Sequence, residues 1–419
     1  MNFEHSERSR KFQEQIGDIF TNDILPRNRE WHAHVRRHGT PPPFLADLQR
    51  KARSQGLWNL ALPDLSEDEP GTRLTNLEYA PLAEIMGRIS WAPLVFNCQP
   101  PDVPNMIILQ GNGTPEQKAR WLAPLLEGKT RSAFGMTEPD VACSDATNIR
   151  TQIIRDGDDY VINGRKWYTS GVTNPDCAFI IVMGSTDQEG GRTRRHSMVI
   201  VPPDTPGVRI LRKNAIFGDT TAPIGEVQFT NVRVPADHLL GEEGMGFRVG
   251  QERLGPARVH HCMRAVGSCE VLISLMRARA NERITFGRPI IEYDTVQNWI
   301  ALSRIELEQA RLLIYKTAWL LDNQDHRSAR REVSLIKVAV VGMHQKIADR
   351  AIQVFGAMGM SDDTPIASSF ATARGLRIGD GPDEVHLRQI FRLEPPPQYT
   401  IAESPYMFPF DPDGDVVAT

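Results

Sequence analysis

No run in this chain approaches the roughly 18 consecutive apolar residues that a bilayer crossing requires. The net charge is only −4 over 419 residues, so no excess of one sign argues for a nucleic-acid or anionic-membrane partner. The cysteines number five, Cys98, Cys143, Cys177, Cys262 and Cys269, with no C-x-x-C pair. An odd, scattered set excludes a disulfide framework and a zinc ribbon. The His260-His261-Cys262 cluster invites a metal reading, but neighbouring residues on a helix point in different directions, so it is read as structural and no metal is expected. No G-x-x-x-x-G-K-[ST] loop, G-x-S-x-G elbow or H-E-x-x-H pair is present. The polar opening Met1–His5 is unlike a signal or transit peptide, and Val416-Val417-Ala418-Thr419 matches no peroxisomal or ER address. A cytoplasmic location is the resulting expectation.

What is present falls into three blocks, an α+β multidomain order. Residues 1–131 have a helical pattern, broken by Pro41-Pro42-Pro43 and Pro100-Pro101. Within it, Leu77–Met86 reads as part of one helix, with Pro81 predicting a kink or a later start. Residues 132–244 change to short β-branched runs between turn residues. Thr151–Arg155, the turn at Asp156-Gly157-Asp158-Asp159, Tyr160–Ile162 and the turn pair Asn163-Gly164 form a hairpin signature. Further runs at Phe179–Val182, Ser197–Val201 and Glu226–Phe229 complete a small β-barrel or sandwich, and Gly241–Gly246 is its linker to the next helix. Residues 245–396 are helical again, as a four-helix bundle. Two seven-residue stripes, Ile300/Leu307/Ile314/Leu321 and Ile305/Leu312/Trp319, suit a long helix packed on neighbours. Asp294 and Gln297 fit a capping box at its start. Residues 397–419 form a Pro-rich tail.

Four motifs stand in order across this layout: Thr137-Glu138-Pro139 running on to Ser144-Asp145, Asn163-Gly164-Arg165-Lys166-Trp167-Tyr168-Thr169-Ser170-Gly171, Arg283-Ile284-Thr285-Phe286-Gly287, and Gln353-Val354-Phe355-Gly356-Ala357-Met358-Gly359. Together they resemble the acyl-CoA dehydrogenase family, which removes hydrogen from thioester-activated carbon chains with FAD. A flavin is a flat apolar slab with hydrogen-bonding edges, so it needs an aromatic wall and directed donors. The resemblance makes Trp167 the wall, sets Phe134, Met136 and Thr137 at the pyrimidine edge, Thr169 near the hydride-accepting nitrogen and Ser144 near the pyrophosphate. It assigns Arg283, Phe286, Gln353 and Gly356 to a neighbouring subunit's cofactor, implying a homodimer or homotetramer. Gln297 lies near the family's flavin-contacting glutamine, and the capping box explains it equally well. Arg258 aligns with an active-site arginine, the alternative being a solvated helix face.

The family's base is a carboxylate that takes the α-proton, and the matching stretch here is Ile378-Gly379-Asp380-Gly381-Pro382-Asp383-Glu384-Val385-His386. Asp380 therefore takes the base position, one methylene shorter than the family's Glu and about 1.5 Å short in reach. Misplacement of that size costs about 100-fold unless the backbone compensates, and Gly379 and Gly381 allow it to. The family's other base location holds Ala257. Pro382 replaces a flavin-contacting Thr, Glu384 stands where Gln often donates, and Ser144, Arg258 and Gly381 are assigned to substrate. This stretch, Gly255–Arg264 and Asn76–Glu84 resemble the branch holding bacterial enzymes and the dehydrogenase domains of mammalian family members ten and eleven. An acyl-CoA substrate and an electron-transferring flavoprotein acceptor follow from the resemblance. Its rivals are an acyl-CoA oxidase, a nitroalkane-oxidase-like enzyme, a flavin-bound inactive scaffold and a DNA-associated relative. Asn97–Asp102 either lines the acyl pocket or merely kinks there.

Overall fold

Short polar caps start the helices that begin at Glu7, Asn76 and Pro115 in the computed structural model, which describes residues 4–186, 194–219, 221–324, 328–401 and 404–406. The N-terminal block contains α1 Glu7–Ile19, α2 Asn28–His38, α3 Phe44–Ser54, α4 Asn76–Gly87, α5 Ala92–Val95, α6 Asp102–Asn112, α7 Pro115–Gln117 and α8 Ala123–Leu126. Thr75 and Glu78 close a capping box on α4, and the Asp322 carboxylate accepts from the Asn76 and Leu77 amides at 2.8 Å each. Those caps start α4 at Asn76, and it runs on through Pro81. A later start is therefore not what the structure shows.

The β block comprises β1 Arg131–Gly135, β2 Gln152–Asp156, β3 Asp159–Ser170, β4 Cys177–Ser185, β5 His196–Val201, β6 Val208–Lys213 and β7 Ile224–Pro235. The order β1-β4-β2-β3-β7-β6 curls back on itself because β1 also pairs β3, through Phe134 opposite Ser170. The β2–β3 hairpin turns at Gly157-Asp158, with Asp156 opposite Asp159 and Gly157 at φ 64°. The second expected turn is absent. Asn163-Gly164 lies inside β3 at a bulge against β7. A Cβ on Gly164 would lie 2.5 Å from Thr151 Oγ1, so this glycine serves a close approach between strands rather than a reversal.

Helices α9 Gly246–Glu282, α10 Asp294–Asn323, α11 Arg330–Phe355, α12 Ile366–Leu376 and α13 Asp383–Leu393 follow, with a two-stranded hairpin, β8 Ile284–Thr285 and β9 Arg288–Pro289, between α9 and α10. Three long helices form the bundle, and the two short ones complete it. On α10 the stripe Leu307, Ile314 and Leu321 is buried. Ile305, Leu312 and Trp319 are 54%, 51% and 41% exposed, so the second stripe is left open to solvent rather than buried in the bundle. The capping box at Asp294 and Gln297 is also corrected: Tyr293 is the cap residue and its side chain does not cap the helix, and Gln297 donates to the Ile291 carbonyl at 2.9 Å. The tail after residue 406 lies outside the described residues. Among the described residues no helix is long and apolar enough to cross a membrane.

Candidate active site

Pairing of β1 with β3 brings the first two motifs together. The Trp167 amide donates to the Thr137 carbonyl at 3.0 Å, setting Phe134–Thr137 beside Trp167–Ser170. Behind them the Lys166 ammonium, fully buried, donates to Glu138 Oε1 at 2.8 Å and to the Met136 carbonyl at 2.9 Å. Glu138 also accepts from the Arg150 and Thr151 amides at 2.8 Å each. Burial pushes the Glu138 carboxyl up, but the Lys166 charge and these hydrogen bonds outweigh it and hold it below the usual carboxylate value. Neither residue was singled out from the sequence, yet both lie inside the motifs and explain why the two occur together.

The front of this wall carries buried polar atoms without hydrogen-bond partners among the described residues: Trp167 Nε1 and Thr169 Oγ1. A buried hydroxyl and indole N–H left unpaired are costly, and a flavin edge is the kind of group that would satisfy them. The residues present fit the cofactor. Ser144 is exposed on the loop that follows β1.

A second cluster surrounds Asp380, in the turn between α12 and α13. Asp380 has φ 55° and Gly381 φ 100°, a left-handed pair that Asp tolerates and Gly permits. A Cβ on Gly381 would sit 2.9 Å from His386 Nε2. The Asp380 carbonyl accepts from Arg258 Nε at 2.9 Å and from His386 Nε2 at 3.3 Å. Lys337, fully buried, donates to the Leu376 carbonyl and, at 3.3 Å, to that of Gly381. The Asp380 carboxylate meets His261, with Nε2 to Oδ2 at 3.2 Å. Arg258 is thus part of the site and not a solvated helix face.

Burial dominates the electrostatics here. It lowers Arg258 and Lys337 from their ordinary values, opposed by the Asp380 charge. It lowers His261, against the hydrogen bond to Asp380. It brings His386 down to about 4, helped by Arg258 and Lys337. Both imidazoles are therefore neutral near pH 7. Ala257, His260, His261 and Arg264 line a small cavity with Cys98, Pro100, Val103 and Pro104. Cys98 and Pro100 thus line a pocket. Asn97, Gln99 and Asp102 instead hold buried bonds, such as Gln99 Nε2 to Asp102 Oδ2 at 2.7 Å.

His261 was passed over in the sequence because the His260-His261-Cys262 triplet, weighed only as a metal site, was read as structural. Among the described residues no group of three or more His, Cys, Asp or Glu could hold one. The usable signal was the spacing Arg258, His261, Arg264, which puts three polar side chains on one helix face. The remaining expected cofactor residues are not gathered here. Arg283, Gln297, Gln353, Gly356 and Glu384 are exposed on the C-terminal helices and their connections, and Phe286 is 96% exposed at the β8–β9 tip. Pro382 caps α13 without a side-chain bond.

Family models for the N-terminal, middle and C-terminal domains of acyl-CoA dehydrogenase match residues 6–129, 133–232 and 244–393. FadE2 of Mycobacterium tuberculosis, itself named as a probable acyl-CoA dehydrogenase, is 49% identical over 94% of this chain and 97% of its own. Acyl-CoA dehydrogenase family member 11 of Gallus gallus is 47% identical over 92% of this chain, which spans only 51% of that relative. A solved Mycobacterium abscessus structure, provisionally named an acyl-CoA dehydrogenase, superposes with a TM-score of 0.90 at 46% identity, covering 93% of this chain and 98% of that one. With the helix–barrel–helix order, the flavin-fitting wall and these matches in agreement, the chain belongs to the acyl-CoA dehydrogenase family of flavin-dependent oxidoreductases.

Proposed function

We propose that this chain carries out FAD-dependent α,β-dehydrogenation of an acyl-CoA thioester, with Asp380 removing the α-proton. The observation that carries the reading is the Asp380 turn. Arg258 holds the Asp380 backbone carbonyl and His261 meets its carboxylate, with a cavity beside His261. Trp167, Thr169 and Phe134–Thr137 would hold the flavin, which when bound accepts the β-hydride. Arg258 fixes the Asp380 carbonyl, and with it the direction of the following Gly381 amide. An amide held in that way is a preorganised donor for a thioester oxygen, whose polarisation is what acidifies the α-carbon. In this reading, the left-handed turn at Asp380 and Gly381 supplies the backbone adjustment for a base one methylene short. Ser144, Arg258 and Gly381 are the residues we assign to substrate contact.

The units 1–131, 132–244 and 245–396 serve as scaffold, and 397–419 as an arm. Exposed Phe286, Arg283, Gln353 and Gly356, together with the open stripe of α10, support a shared cofactor in a homodimer or homotetramer. An electron-transferring flavoprotein is the acceptor we expect. The test is anaerobic mixing of the flavin-loaded protein with a panel of acyl-CoAs of different chain length. Bleaching of the oxidised flavin band by at least one is expected, with no fast reoxidation on admitting oxygen. Bleaching by none would overturn the dehydrogenase reading, and rapid turnover with oxygen would make the chain an oxidase.

A further inference from the structure

We propose that His261 is a positioning residue for Asp380, a neutral imidazole locked in one tautomer that holds the short carboxylate in its working orientation. The inference rests on Asp380 being the base. Its evidence is separate: a chain of donors that leaves one arrangement of protons. Arg264 Nη2 lies 3.1 Å from His261 Nδ1. A guanidinium can only donate, so Nδ1 must accept and carries no proton. A neutral imidazole then bears its single proton on Nε2, the atom 3.2 Å from Asp380 Oδ2. An imidazolium would set an N–H at Nδ1 against the N–H of Arg264. His261 therefore stays neutral beside a carboxylate, a juxtaposition that would ordinarily protonate it, and burial works in the same direction.

The arrangement answers a problem set by the sequence. A carboxylate one methylene short has little freedom to find the substrate, and its backbone is fixed by Arg258 and His386. The backbone contacts leave the rotation of the carboxylate to side-chain contacts, and the directed N–H of His261 at Oδ2 is one that orients it. Among the described residues, the other groups around the pair are His260, Arg258 and Arg264 on α9, Tyr79 on α4, Lys337 on α11, and Asp383 and His386 on α13. Of these, Arg258 and Lys337 interact with the Asp380 charge. Loss of the His261 bond then removes the one hydrogen bond by which this imidazole stabilises the carboxylate, which raises the carboxyl pKa.

Two variants separate positioning from packing. His261→Asn ends near the level of Nδ1, so it keeps an acceptor for Arg264 and loses the donor to Asp380. His261→Gln reaches one bond further and restores an N–H where Nε2 stood. The readout is the pH dependence of flavin reduction by the acyl-CoA that bleaches best. His261→Asn should move the acid limb up by about one pH unit, the order of a single charge-assisted bond, and His261→Gln should return it. Equal shifts in both variants, or a shift in neither, overturn the proposal.

A second readout does not use turnover. Nitrogen-15 NMR of histidine-labelled wild type, with His261 assigned by its loss in His261→Gln, should show a bare Nδ1 and a protonated Nε2 near neutral pH. An imidazolium or the opposite tautomer overturns the proposal, and this measurement holds even if His261→Asn does not fold. Failure of the base reading is distinguishable, since Asp380→Asn would then bleach at the wild-type rate. Failure of the present proposal alone leaves Asp380→Asn inert and the His261→Asn limb unmoved.

Discussion

Replacing Gly267 by alanine drives a methyl group into the backbone of a neighbouring helix. Gly267 lies on α9 where it crosses α4, and a Cβ there would sit 1.8 Å from the Glu84 carbonyl oxygen and 3.2 Å from the Arg88 nitrogen. Ordinary contact begins near 3.4 Å, so the helices must part by about 1.6 Å. Neither atom is a side chain that can swing away. The crossing is also pinned, because Arg311 on α10 holds Glu84 at 2.9 Å and Glu270 at 2.7 Å. Overpacking costs about 1–3 kcal/mol in cores that adjust, and a backbone clash of this depth belongs at the upper end. About 3 kcal/mol is roughly a hundredfold in the folding equilibrium. Arg258, His261 and Arg264 ride on the same helix, so flavin reduction should fall along with the denaturation midpoint. The control is Gly342→Ala on α11, where nothing lies within 4 Å of the added atom. Removing a mid-helix glycine there should stabilise by about 0.5–1 kcal/mol. Denaturant unfolding followed by tryptophan fluorescence measures both. A Gly267→Ala protein that unfolds with the wild type, or a Gly342→Ala protein equally damaged, refutes the crossing argument.

Lys337→Met should keep the flavin but loosen the base turn, which loses a buried donor to the Leu376 and Gly381 carbonyls. A displacement near 1 Å costs about 100-fold, so stopped-flow reduction should slow by ~10–100-fold, and an unchanged rate would remove Lys337 from the account. Glu138 has a folded pKa below its ordinary 4.5, so its contribution is fully present above the unfolded value and is lost as pH falls through the folded one. Glu138→Gln should flatten that acid limb and, by leaving Lys166 buried without its carboxylate, cost about 3–5 kcal/mol at neutral pH; thermal melts across pH 3–7 measure both effects. Leu312→Glu combined with Trp319→Glu on the open stripe of α10 should shift the assembly to smaller species in light scattering and release flavin. An unchanged particle size would show that this face is not the contact.

Much of the architecture was legible because periodicity switches between blocks, and each switch reports which face is buried. The motif residues Trp167 and Thr169 were legible because their spacing along one strand survives into the structure, next to the end of β1. What misled was local chemistry overruled by longer contacts. Asn163-Gly164 has turn composition, but the glycine is needed where β3 passes Thr151. Asp294 and Gln297 have capping-box spacing, but the chain enters α10 through Tyr293 and Gln297 turns back to Ile291. The two stripes of α10 look alike in sequence, since a face that packs within the chain and one left open to solvent both carry Leu and Ile. His261 was hidden for a different reason. Its role depends on Asp380, 119 positions away, and on a proton assignment imposed by Arg264.

The central claim is that Asp380 takes the α-proton, and anaerobic stopped-flow reduction of flavin-loaded Asp380→Asn by the acyl-CoA that bleaches wild type fastest tests it most directly. An amide of the same shape keeps the backbone contacts to Arg258 and His386 and cannot act as a base. The account predicts normal flavin content, retained acyl-CoA binding and reduction slowed by about 100-fold or more. Bleaching at the wild-type rate would contradict it and place the base elsewhere.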